Sequence, residues 1–181
     1  MNTKCYCRRH FIQGLITGSI SLSLLLQFPQ SAQASGQAKA LVLSCIDFRF
    51  VDGEKSFLDT KSLDNSYDWL SIAGASLALA GFPHPAEAET FWDQLDISYR
   101  LHNIEKVIIL DHQDCGAYAT FIDANLTQNP QQEEQIHQQY LSQAYQSIKQ
   151  KYPQLEVELY WIKLNQEVKI IIPSFLTSQK N

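Results

Sequence analysis

Two short runs hold the residues most suited to chemistry: Cys45-Ile46-Asp47-Phe48-Arg49 and His112-Gln113-Asp114-Cys115. Two thiols and one imidazole form a soft nitrogen-and-sulfur donor set, which zinc prefers. Three protein donors with one open position is the arrangement of catalytic rather than structural zinc. Asp47 and Arg49 add a carboxylate and a permanent cation next to the first thiol. A disulfide between Cys45 and Cys115 is the competing reading. The cysteines alone favour it, whereas the histidine before Cys115 and the Asp and Arg after Cys45 favour a metal.

These runs need elements to position them. Each follows a β-like segment, Leu41-Val42-Leu43 before the first and Val107-Ile108-Ile109-Leu110 before the second. The pattern predicts a buried strand over 40–44, a polar loop from Asp52-Gly53-Glu54 to residue 66, and a second strand over 67–72. That strand runs into the small-residue loop Ala73-Gly74-Ala75. Pro85 opens a helix to about residue 101, and a third strand spans 105–110. A short helix over 116–126 precedes a long one from Pro130 to about residue 152, with an apolar stripe of Ile136, Tyr140, Leu141, Ala144, Tyr145 and Ile148. Residues 155–164 and 168–172 alternate around Asn165-Gln166 as a closing hairpin. Strands alternating with helices predict an α/β fold: a mostly parallel sheet flanked by helices, with one antiparallel strand at the end. Ligands of such sheets bind beyond the carboxyl ends of the strands, where both runs fall.

The N-terminus reads as an export signal. Arg8-Arg9-His10-Phe11-Ile12 is a twin-arginine pair before an apolar position, and a weakly apolar stretch follows over 12–28. Ala32-Gln33-Ala34 then supplies the small residues that a signal peptidase cuts. The stretch falls short of the roughly 20 residues that span a bilayer, so no stable membrane anchor is expected after cleavage. Removal of residues 1–34 takes away Lys4, Arg8, Arg9, Cys5 and Cys7. The domain 35–181 then has 11 basic against 19 acidic residues, a net −8, which disfavours nucleic acid. Its only cysteines are Cys45 and Cys115. The expected location is a periplasm or thylakoid lumen, reached by the twin-arginine route. That route exports folded chains, so a metal loaded in the cytoplasm would keep both thiolates occupied.

Cys-x-Asp-x-Arg after a first strand and His-x-x-Cys-Gly after a later one resemble the β-class carbonic anhydrases, and element order agrees over most of the chain after residue 34. The resemblance implies that Cys45, His112 and Cys115 hold Zn²⁺ and that Asp47 and Arg49 are the catalytic pair beside it. It implies reversible hydration of carbon dioxide to bicarbonate by a zinc-bound hydroxide, in a homodimer or larger homo-oligomer. It also implies a switch in which Asp47 leaves Arg49 and becomes the fourth metal ligand. Two departures stand out. Phe48 occupies a position usually held by a serine, and Ser71-Ile72-Ala73-Gly74-Ala75 replaces an Arg-Asn-Ala-Gly-like run. The loop change makes the pocket less polar. Both departures keep open hydrolysis of carbonyl sulfide or carbon disulfide on the same fold, or a catalytically silent zinc-binding or disulfide-bonded homologue.

Other residues take structural readings. His84, between prolines, is a loop residue; His102 lies near a helix C-terminus; His137 lies on a polar helix face. Asp114 is an exposed loop acid, and Tyr118 packs in the core.

Overall fold

Strands with apolar residues on both faces need cover on both sides. The computed structural model, which describes residues 36–177 except Asp64, supplies it with helices flanking a five-stranded sheet. The export signal expected over 1–34 lies outside the described residues. The strands are β1 (Ala40–Ser44), β2 (Tyr67–Ser71), β3 (Lys106–His112), β4 (Glu156–Ile162) and β5 (Val168–Ile170), in the order β2-β1-β3-β4-β5. Only the β4–β5 pair is antiparallel, in agreement with the expected hairpin. β1 is buried along its whole length, as a central strand covered on both faces must be.

Side-chain alternation divides the core. Leu41, Leu43, Val107, Ile109, Leu159 and Trp161 pack on one face under α3 (Pro85–Ile97) and α5 (Pro130–Lys151). Ala40, Val42, Ile108, Leu110, Tyr160 and Ile162 pack on the other with Phe50 and Leu58. Leu58 belongs to α1 (Val51–Thr60), a helix where a polar loop was expected. Its sequence, VDGEKSFLDT, carries few apolar residues and a glycine, Gly53, at its third position. Tertiary packing overrides this weak propensity: Leu58 and Glu54 are buried, and Phe50 precedes the helix as a core residue. The Gln166 side chain lies close over Gly53: a Cβ there would lie 1.9 Å from Oε1, the free end of an exposed side chain that can shift.

The remaining elements differ from expectation at their ends. The helix from Pro85 stops at Ile97 and continues as a π-helical turn, Ser98–His102, closed by Asn103 in the left-handed region. Residues 116–126 contain only α4 (Gly116–Phe121) before a 3₁₀ turn at Leu126–Gln128. A short α2 (Ser76–Leu79) follows the small-residue loop. Pro130 at the first turn and the Asn129 carboxamide, which accepts from Gln132 N–H at 3.2 Å, start α5. A short α6 (Ser174–Thr177) closes the described chain. No helix among the described residues is long and apolar enough to cross a membrane.

Candidate metal centre

β1 and β3 are adjacent and parallel, so their carboxyl ends meet at one edge of the sheet. Cys45 directly follows β1, His112 is the last residue of β3, and Cys115 is the cap residue before α4. Their donor atoms all lie within 4.8 Å of one another, and all three residues are buried. Both thiols are free, with the sulfurs 4.0 Å apart. A disulfide would bring them to about 2.05 Å. Two sulfurs on one tetrahedral zinc would stand about 3.8 Å apart. The observed separation matches the metal.

The imidazole gives a second test. Gln113 O only accepts, so the 2.9 Å contact makes His112 Nδ1 the donor and leaves Nε2 with a lone pair. Nε2 is buried and has no hydrogen-bond partner among the described residues. An orphaned acceptor beside two thiols is costly unless something electrophilic takes its lone pair. Phe50 packs its ring against the imidazole, with centroids 4.2 Å apart, and limits its rotation. The donor set therefore fits zinc.

Local electrostatics favour a thiolate at Cys45. Cys45 accepts a hydrogen bond from Cys115, and this lowers the Cys45 pKa while raising that of Cys115. The Gly74 N–H adds a contact of 3.3 Å to Cys45 Sγ. Gly74 has φ +82°, a conformation that glycine adopts without strain. The small-residue loop after β2 thus supplies a backbone donor to Cys45. Burial disfavours charge on His112, but the Cys45 thiolate beside it outweighs this and raises its pKa, so the buried Nε2 lone pair attracts an electrophile, a proton or a metal.

Asp47 stands beside the cluster and is not a member of it. Arg49 grips it through Nε, 3.0 and 3.1 Å from the two carboxylate oxygens, and through Nη2 at 2.6 Å. These hydrogen bonds outweigh partial burial and hold the Asp47 carboxyl at about 2. Its Oδ2 lies 4.0 Å from His112 Nε2. Above the pair opens a cleft of about 630 Å³, lined by Ile46, Phe48, Ala73, Ala117, Thr120 and Phe121. Phe48 is 84% exposed and Ile46 is 64% exposed, so the mouth is largely apolar.

Several expectations for other residues change. His137, expected on a polar face, is buried: its Nδ1 lies 2.7 Å from Asp111 Oδ2 and its ring stacks on Tyr118 at 3.5 Å. Asp111, next to the candidate ligand His112, also accepts from Ser76 N–H and O–H at 3.1 and 2.6 Å. It thereby ties the Gly74 loop to α5. Asp114 is not a free loop acid, because Arg49 Nη1 donates to its Oδ2 at 2.7 Å. Glu54 is buried on α1 with Oε1 unpartnered among the described residues; burial, partly offset by Ser44 and His112, raises its pKa to about 7. His84 precedes α3 in an exposed loop, and His102 pairs with Asp68 at 2.7 Å. Tyr118 is a core residue, as expected.

Residues 35–172 match a family described as "Putative carbonic anhydrase". An uncharacterized protein of Rickettsia bellii is 35% identical over 129 residues, covering 71% of this chain and 79% of that protein. One of Rickettsia conorii is 35% identical over 140 residues, covering 76% and 75%. Among solved structures, the β-carbonic anhydrase CafA of Aspergillus fumigatus superposes with a TM-score of 0.57 at 13% identity, covering 77% of each chain. A Coccomyxa β-carbonic anhydrase in complex with acetazolamide gives 0.52 at 11%, covering 81% of this chain and 79% of that one. Shared sequence over most of its length and a shared sheet place this chain in the carbonic anhydrase family.

Proposed function

We propose that the protein is a zinc-dependent carbonic anhydrase that converts carbon dioxide and water to bicarbonate and a proton. The buried Cys45–His112–Cys115 cluster, with its orphaned imidazole nitrogen and an ionised Asp47 beside it, is the observation that carries this reading. Zinc held there supplies Lewis acidity, the property that makes water a nucleophile near neutral pH. Two thiolates donate charge and work against that acidity. The Gly74 N–H draws charge from Cys45 and partly offsets the effect. Asp47, kept ionised by Arg49, accepts a hydrogen bond from the attacking water and orients its lone pair. Ile46, Phe48 and Phe121 offer an apolar berth for a small neutral substrate.

The apolar mouth also favours a second reading, hydrolysis of a sulfur analogue such as carbonyl sulfide. Stopped-flow assays of the zinc-loaded protein with each gas separate the two. Bicarbonate formation that vanishes in Cys115→Ser supports the first reading, and hydrogen sulfide release without carbon dioxide hydration supports the second. Neither activity in a zinc-replete protein would leave a silent homologue.

Export through the twin-arginine route and assembly as a homo-oligomer complete the proposal. The family match beginning at residue 35, where the expected signal ends, supports the first. Tetrameric β-carbonic anhydrases of Sordaria macrospora, TM-score 0.54, and the exposed Phe48 and Ile46 support the second.

A further inference from the structure

Arg49 is held from two sides. Its Nε and Nη2 face Asp47, while Nη1 donates to Asp114 Oδ2 at 2.7 Å and Nη2 also donates to the Asp114 carbonyl at 2.9 Å. The two carboxylates occupy different edges of the guanidinium, so they share it rather than compete for one donor. Asp114 in turn is fixed by its backbone. It has φ +59°, and its N–H donates to Glu133 Oε1 at 2.7 Å. Glu133 is fully buried on α5, which makes it a firm seat for the loop between His112 and Cys115.

The chain of contacts ends near the metal donors, since Asp47 Oδ2 is 4.0 Å from His112 Nε2. A carboxylate released from Arg49 there is close enough to become a fourth donor. We infer that Asp114, seated by Glu133, is a positioning residue: it anchors Arg49, and Arg49 so anchored keeps Asp47 out of the fourth metal position and leaves that position to an external ligand. The inference rests on metal binding by Cys45, His112 and Cys115, and it does not require that the protein hydrate carbon dioxide.

Azide titration of the cobalt-loaded protein at one fixed pH tests it. Thiolate-to-cobalt charge-transfer absorption reports the donor cage, and the visible bands report azide at the open position. Asp114→Gly removes the carboxylate and tolerates the left-handed backbone. It should weaken azide binding at least about threefold, the scale of a partly exposed ion pair. Glu133→Ala should act in the same direction, while Glu133→Gln keeps an acceptor and should behave as the parent. In an Asp47→Ala background, Asp114→Gly should leave azide affinity unmoved, because no carboxylate remains to close the site. Azide affinity that is unchanged or tighter in Asp114→Gly, or that falls equally without Asp47, overturns the inference. A parent protein without charge-transfer absorption overturns it together with the metal reading. Normal cobalt spectra without carbon dioxide hydration would sink the enzymatic reading alone.

Discussion

At the scale of residues, the donors were legible because chemistry and position coincide: thiol, imidazole and thiol sit directly behind apolar strand segments. Their supports were not. Glu133 and His137 look like surface residues by type, yet with Leu141, Ala144 and Ile148 they form the buried stripe of α5. Spacing of four back from Leu141 was the signal, and residue type masked it. The Gly74 contact was invisible for another reason, since a backbone N–H has no signature in sequence. It is nonetheless testable. A Cβ at Gly74 would lie 3.1 Å from the Cβ atoms of both Ala117 and Leu77, at a φ that side chains rarely adopt. Gly74→Ala should cost about 1–3 kcal/mol in urea unfolding and hasten zinc loss to a chelator. An unfolding midpoint and zinc release rate equal to the parent's would show that the backbone donor is dispensable.

Among the elements, the sheet was readable from alternation, and its strands and closing hairpin stand close to where the pattern put them. Helix α1 was not, because its burial comes from Leu58 and Glu54 in a mostly polar stretch and from the approach of Gln166 over Gly53. Asp111 joins β3, α2, α4 and α5 through His137, Ser76 and Tyr118. Asp111→Ala strands those partners in the interior and should lower the unfolding free energy by about 3–5 kcal/mol; a loss below 1 kcal/mol in denaturant titration would contradict this role. On β4, burial pushes the Glu158 carboxyl up, but Lys106, Lys61 and Tyr160 together prevail and bring it down to about 2. That value lies below the roughly 4.3 of an unfolded glutamate. The stabilisation is thus complete above pH ~4.3 and lost as pH falls toward 2. Glu158→Gln should flatten the acid limb of the stability curve in that window, whereas an unaltered slope would mean that the lysines do not hold the carboxylate.

For the whole molecule, β1 and β3 lie side by side and carry their loops to one end, so a site scattered in sequence becomes one buried cage. A ligand bound only by the folded chain stabilises it by mass action, about 4 kcal/mol at a thousandfold excess over its dissociation constant. Chelation should therefore lower the melting temperature of the parent and leave that of Cys115→Ser unchanged. The exposed Phe48 and Ile46 predict a mass in light scattering of at least twice that of the chain. A monomer at micromolar concentration would show that this apolar mouth is not covered by a second copy. Everything rests on the three donors holding one zinc with a position to spare, and zinc K-edge absorption of the purified protein tests this most directly. One zinc per chain with two sulfur neighbours, one imidazole nitrogen and one further light atom is the expected result. A zinc-free protein with Cys45 and Cys115 joined, or a zinc site lacking both sulfurs, would contradict it.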